Sequence, residues 1–142
     1  MVADPGGDQR LAVVDLGSNS FRLVVFTEHP APEGDGAWWR RTDEIYEPVR
    51  IGAGVDESGA LGKDGMRRAA AAIGVFAHFA QASHLALHDV DAVATSAIRE
   101  ATNARAFLRR VQSEFRDVGM EGNQEGLVPV GRRGLTRRVQ TR

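Results

Sequence analysis

The first apolar stretches of the chain predict two β-strands joined by a tight turn. The run LAVVDL at residues 11–16 stops at Gly17, as a buried strand does. A second run rich in β-forming residues, FRLVVFT, occupies residues 21–27. Because only a few turn-forming residues separate these two runs, they predict a β-hairpin. A third strand is expected at residues 37–49, and Pro48 restricts its last residues to a sheet edge or a strand end.

The second half of the chain changes to a helical period. Apolar residues recur every three to five positions over residues 62–85, which predicts an amphipathic helix. A strand follows at residues 87–95 and a second helix at residues 103–115, after which no regular period remains. Three strands, a helix, a strand and a helix in this order are typical of an α/β sheet.

Composition narrows the class of protein. The chain has 142 residues, of which 42% are hydrophobic and 26% charged, with a net charge of −1 and no cysteine. These values fit about one soluble globular domain and exclude collagen-like, wholly disordered and membrane-embedded chains. They give no electrostatic reason to expect nucleic acid or a membrane as a partner. Since the polar start lacks a signal peptide pattern, we expect a cytoplasmic protein.

The turn after the first predicted strand is the first candidate for chemistry. Asp15 ends the strand, and Gly17 lets the backbone approach a ligand closely. Successive N–H groups in such a turn form a concave anion site, to which small polar side chains add donors. Those side chains are Ser18, Asn19 and Ser20. An ordinary hairpin turn in which Asp15 caps its own backbone is the alternative.

A second group of polar residues follows the strand expected at residues 87–95. Thr95 and Ser96 carry hydroxyls at its end, and Arg99 comes shortly afterwards. Ligands of open α/β sheets bind at the carboxyl ends of strands, and arginine suits phosphate as a planar donor. The alternative is that Thr95 or Ser96 caps a helix while Arg99 is solvated or paired with an acid.

Three segments together resemble the start of the Ppx/GppA family, the exopolyphosphatases and guanosine pentaphosphate phosphohydrolases. They are VDLGSNSFRLVVF at residues 14–26, IGAGVDESGALGKDGM at 51–66 and VATSAIREATNARAFLRRV at 93–111. The resemblance implies the first lobe of an actin/Hsp70/sugar-kinase-like (ribonuclease H-like) α/β fold, with a hairpin-led mixed sheet and flanking helices. It implies a flexible leader at residues 1–9, the lobe at 10–118 and an aberrant tail at 119–142.

The resemblance also implies an activity and a set of site residues. The family hydrolyses terminal phosphoanhydride bonds of polyphosphate or guanosine pentaphosphate, usually with Mg²⁺, and full-length relatives are expected to be homodimers. Carried onto this chain, the phosphate-binding residues are Asp15, Gly17, Ser18, Asn19, Ser20, Thr95, Ser96 and Arg99. Asp15 is the expected metal contact, while Arg22 and Asn103 are expected to support the structure.

The chain departs from the family pattern after the second predicted helix. An acidic segment of the type S-G-x-E-E-A-R, which holds the general base, and a second glycine-rich loop are expected there, and neither motif is present. Glu121 and Glu125 lie near the expected distance without the surrounding motif, so the catalytic residue stays unassigned. We expect an N-terminal fragment whose family sequence ends near Met120, as a frameshift would produce.

Three functions therefore compete. The first is phosphoanhydride hydrolysis, and the second is a phosphate- or nucleotide-binding module without turnover. The third is an ATPase related to sugar kinases or chaperones, against which the Asn19–Ser20 pair argues, because those ATPases more often carry threonine or a basic residue there.

Overall fold

The computed structural model describes residues 9–30, 36–55 and 57–120. Nearly all of the expected leader and tail, residues 1–8 and 121–142, lies outside the described residues. Strands β1 (Arg10–Leu16) and β2 (Ser20–Pro30) pair antiparallel, with Leu16 opposite Phe21. The hairpin predicted from the apolar runs is confirmed.

Strand β3 (Ala37–Pro48) pairs antiparallel with β2 and forms one edge of a four-stranded sheet. The pairing has one irregularity, since Val25 lies opposite Asp43 and Phe26 opposite Arg41, so Thr42 of β3 is the extra residue of a β-bulge. Pro48 is its last residue, which agrees with the restriction that proline imposes on a strand.

Strand β4 (Val90–Ala94) completes the sheet, in the order β3-β2-β1-β4, and runs parallel to β1. The sequence pattern placed the start of this strand at residue 87, and that boundary is wrong. Residues Leu87–Asp89 form a short 3₁₀ turn instead. An Asp89 carboxylate oxygen accepts the N–H of Ala86 at 3.1 Å, and the Asp89 N–H bonds the Ala86 carbonyl at 3.0 Å. These local bonds compete with strand geometry.

Three helices follow the strands: α1 (Lys63–Ala82), α2 (Ser96–Arg99) and α3 (Ala104–Asp117). Helix α1 ends three positions before the expected residue 85, because His84 adopts the left-handed conformation with φ 58°. The N–H of Leu85 bonds the Ala80 carbonyl at 3.1 Å and that of His84 the Gln81 carbonyl at 2.9 Å. This is the Schellman motif, with histidine where glycine is usual.

The core lies between one face of the sheet and helices α1 and α3. Alternate residues of β1 and β2 point into it, and the Phe21 and Phe107 rings meet with centroids 6.2 Å apart. The sheet contributes Ala12, Val14, Leu16, Phe21, Leu23 and Val25, and the two long helices contribute Ile73, Phe76, Phe107, Val111 and Phe115. None of the helices in the described ranges has the length and apolarity needed to cross a membrane.

The parallel pairing of β1 with β4 places the site. The strands leave the sheet side by side, with Leu16 opposite Ala94. The N–H of Thr95 donates to the Leu16 carbonyl at 3.1 Å, so the two polar segments singled out in the sequence start at the same sheet edge. Ligands of α/β sheets bind at such an edge.

Candidate functional site

The turn between β1 and β2 is closed by its own backbone. The N–H of Gly17 donates to the Ser20 carbonyl at 3.1 Å. A Cβ on residue 17 would lie 2.7 Å from that same oxygen, so only glycine fits without a shift of the backbone. The Asp15 side chain is exposed on the sheet face opposite the core, and no hydrogen bond from it to the described residues is seen. The alternative in which Asp15 caps its own turn is therefore not observed.

A short 3₁₀ helix, Ile51–Gly54, holds this turn from the other side. The Asn19 carbonyl accepts the N–H groups of Val49 at 3.0 Å and of Arg50 at 2.8 Å, and the Ser18 carbonyl accepts that of Gly52 at 3.0 Å. A Cβ at Gly52 would lie 3.2 Å from the Ser18 Cβ, tighter than ordinary contact. The turn and the 3₁₀ helix thus form one packed unit.

Helix α1 anchors this unit to the rest of the protein. Arg68 donates from Nε to the Val49 carbonyl at 2.9 Å and from its terminal nitrogen to the Arg50 carbonyl at 3.3 Å. The Arg68 guanidinium is thereby bonded to backbone oxygens just after β3, so Arg68 supports the structure of this unit.

Thr95 and Arg99 occupy the two ends of α2. Thr95 holds the N-cap position, yet its side chain makes no capping bond. Its Oγ1 is buried and has no hydrogen-bond partner among the described residues. Ser96 and Arg99 are exposed, and Arg99 forms no ion pair within the described ranges. Helix capping by the Thr95 side chain, one part of the alternative, is not observed, whereas the exposed position of Arg99 agrees with the solvated arginine that the alternative expects.

An open pocket of about 660 Å³ lies beside these segments. Two residues of the turn, Ser18 and Asn19, line it together with eight others: Arg50, Gly52, Ala53, Val55, Gly59, Ala97, Glu100 and Ala101. Two of the predicted phosphate-binding residues therefore line it. The other six border it along the chain without forming its wall: Asp15, Gly17, Ser20, Thr95, Ser96 and Arg99.

Sequence reasoning missed Arg50 and Glu100, the two charged residues of the described lining. The closely spaced glycines after residue 51 were a signal for this wall, because backbone that approaches a ligand or another segment favours glycine. No pattern of residue types distinguished Arg50 from the other arginines of the chain.

The two expected support residues hold neighbouring segments together. The Asn103 amide accepts the Leu61 N–H at 2.9 Å and donates to the Leu61 carbonyl at 3.0 Å, which ties the glycine-rich stretch to the start of α3. Arg22 forms an ion pair with Glu44 across β2 and β3 at 3.2 Å, on the same sheet face as Asp15.

Comparisons with known proteins agree with this geometry. The model of the Ppx/GppA phosphatase family matches residues 42–125. The chain is 33% identical over 112 residues to guanosine-5'-triphosphate,3'-diphosphate pyrophosphatase of Vibrio vulnificus, covering 77% of this chain and 20% of that protein. It is also 33% identical over 109 residues to exopolyphosphatase 1 of Mycobacterium bovis, covering 74% of this chain and 28% of that protein.

Solved structures lead to the same family. The crystal structure of the Aquifex aeolicus member of the Ppx/GppA family superimposes with a TM-score of 0.65 at 30% identity, covering 78% of this chain and 33% of that one. The chain thus spans between a fifth and a third of the length of these relatives. The mixed sheet with flanking helices expected from the motifs is confirmed, and the protein belongs to the Ppx/GppA phosphatase family.

Proposed function

We propose that this chain provides one wall of a site that binds the terminal phosphate of inorganic polyphosphate or guanosine pentaphosphate for hydrolysis of the phosphoanhydride bond. One observation carries the proposal. The polar ends of β1 and β4 converge on one sheet edge, joined by the 3.1 Å bond from the Thr95 N–H to the Leu16 carbonyl, beside an open pocket. The names of the relatives, guanosine-5'-triphosphate,3'-diphosphate pyrophosphatase and exopolyphosphatase 1, support the same chemistry.

Each polar group has a role in this proposal. Ser18 and Asn19 line the pocket and present donors to phosphate oxygens. The Thr95 hydroxyl, which has no hydrogen-bond partner among the described residues, donates to the same phosphate in this proposal. Arg99 is exposed and unpaired within the described ranges. In this proposal its positive charge stabilises the terminal phosphoryl group while the phosphoanhydride bond of the substrate breaks.

Magnesium fits the donors of this edge only as a jointly held ion. Among the described residues, no three histidine, cysteine or acidic side chains lie close enough to form a metal site by themselves. Mg²⁺ often uses one or two carboxylates together with substrate phosphates and water. Exposed Asp15 offers one such carboxylate, and the ion would neutralise phosphate charge there.

Phosphate binding without turnover is the second candidate function. Within the described lining, Glu100 is the sole carboxylate, and it sits among residues that the family pattern does not assign as a base. Loss of a general base lowers rates by about 10²–10⁴-fold. The two functions therefore make different predictions for phosphate release and the same prediction for binding.

The test measures both quantities on the full chain. Phosphate release is followed with long-chain polyphosphate and with guanosine pentaphosphate, with and without Mg²⁺, and binding is measured by calorimetry. Hydrolysis predicts release that Arg99→Gln lowers at least tenfold, whereas Arg109→Gln, an exposed arginine of α3, leaves it unchanged. Binding without release selects the second function, and absence of both refutes the proposal.

Thr95→Val separates ligand binding from folding. Because the native hydroxyl has no partner, its removal should leave stability unchanged or raise it by up to about 1 kcal/mol. Phosphate binding should nevertheless weaken. Equal binding by this variant and the wild type would remove Thr95 from the site.

A further inference from the structure

Arg50 stands out among the pocket residues by its backbone. It is exposed and adopts the left-handed conformation, with φ 51° and ψ 44°, directly before the 3₁₀ helix. For residues other than glycine this conformation costs roughly 1 kcal/mol. Glycine or asparagine would hold the same turn at lower cost, so the backbone does not explain why arginine is present.

The main chain of Arg50 is fixed from two sides. Its N–H donates to the Asn19 carbonyl at 2.8 Å, and its carbonyl accepts from Arg68 at 3.3 Å. The base of its side chain is therefore held at a set distance from the phosphate turn. Strained residues that are overdetermined in this way occur preferentially at ligand sites.

The guanidinium of Arg50 is available for a ligand. Arg50 forms no ion pair with any residue in the described ranges, and it is the only cationic residue of the described pocket wall. Glu100, the one carboxylate of that wall, is not bonded to it. A free planar guanidinium on the wall of an open pocket matches the oxygens of a phosphate.

The volume of the pocket allows Arg50 to contact a phosphate other than the terminal one. At about 660 Å³ it falls within the range of sites for drug-sized ligands, so it has room for more than one phosphoryl group. In the proposed function the terminal phosphate is held by Ser18, Thr95 and Arg99. Arg50 lines the same pocket from the segment that follows β3, whereas Ser18 lines it from the turn between β1 and β2.

We propose that Arg50 binds a phosphate group behind the terminal one and thereby makes the site selective for chains of phosphates over a single phosphate. The inference rests on the proposed function, because it takes the terminal phosphate position from it. Arg50 acts here as a specificity-determining residue and takes no part in bond cleavage.

The test compares tripolyphosphate with orthophosphate, both without Mg²⁺. Calorimetry gives the Kd of tripolyphosphate, and competition gives the Kd of orthophosphate at millimolar concentration. Arg50→Gln should weaken tripolyphosphate roughly 10–100-fold, as loss of a charged hydrogen bond does, and change orthophosphate less than about twofold. Arg50→Gly should behave in the same way while relieving the left-handed backbone, so a folding defect cannot imitate the result.

Arg40→Gln is the matched control, since it removes one exposed arginine from β3 outside the pocket. It should reduce both affinities equally and slightly. If the wild type binds both anions and Arg50→Gln keeps the wild-type ratio of the two Kd values, the role of Arg50 is refuted and the proposed function is not. Failure of the wild type to bind either anion would instead refute the proposed function and the role of Arg50 with it.

Discussion

Gly17→Ala is the sharpest structural test of the turn between β1 and β2. The added Cβ would stand 2.7 Å from the Ser20 carbonyl oxygen, against the 3.4 Å at which ordinary contact begins. That oxygen belongs to the backbone and accepts the Gly17 N–H at 3.1 Å, so it cannot move away without opening the turn. The variant must therefore lose this hydrogen bond or strain the residues around it.

The expected loss of stability is about 2 kcal/mol. Overpacking costs roughly 1–3 kcal/mol, and the broken hydrogen bond about 1 kcal/mol more. Replacing glycine also restricts the unfolded chain, which returns about 0.4–1 kcal/mol. In urea, where domains of this class lose about 1–3 kcal/mol of stability per molar denaturant, the midpoint should fall by roughly 1 M.

Gly74→Ala is the matched control, because it makes the same change in the middle of α1. There the new Cβ meets only the end of the Glu114 side chain, at 3.5 Å. With no clash, helix propensity decides, and the variant should gain about 0.5–1 kcal/mol. Equal stability of Gly17→Ala and the wild type, beside a stabilised Gly74→Ala, would refute the idea that the turn demands glycine. Phosphate binding by Gly17→Ala should be lost even at denaturant concentrations where it remains folded.

Three further substitutions test the supports of the site and the core. Asn103→Ala should cost about 1–3 kcal/mol in urea denaturation, because it leaves the N–H and carbonyl of Leu61 without partners, while a cost below 0.5 kcal/mol would mean that water replaces the amide. Phe107→Ala should cost about 3–5 kcal/mol by thermal and urea unfolding, since the ring is buried at the sheet–helix interface, and a smaller loss would show that α3 collapses into the space. His84→Gly should raise the thermal midpoint by a few degrees, because glycine adopts the left-handed conformation without strain, and a lower midpoint would show that the imidazole stabilises the end of α1.

Periodicity predicted the elements whose burial is regular. In β1 and β2 every second residue points to the core, so the hairpin and its register follow from the alternation itself. The end of α1 does not follow from the periodicity, because His84 adopts a left-handed conformation that its residue type only weakly favours. The short turn before β4 depends on one Asp89 side-chain bond, which an alternating pattern does not contain.

The candidate site was predictable where it lies next to strand ends and unpredictable elsewhere. Ser18 and Asn19 lie in the turn after β1 and Thr95 directly follows β4, and the pairing of these strands brings the two segments together. Arg50 is positioned at the pocket by its place before the 3₁₀ helix and by two tertiary hydrogen bonds. No pattern in the neighbouring sequence predicts either feature. Contacts between segments that are distant in the chain are identified from the three-dimensional structure and not from the sequence pattern.

The bond between the Thr95 N–H and the Leu16 carbonyl links assembly of the site to the course of folding. The hairpin can form from neighbouring residues, whereas the β1–β4 pair requires closure of a long loop and raises the contact order of the fold. A phosphate ligand that contacts both the turn after β1 and the segment after β4 has no complete site until the long loop between these strands has closed. Ligand added during refolding therefore leaves the hairpin step unchanged and stabilises the closed chain by mass action, so its concentration should shift the midpoint of global unfolding.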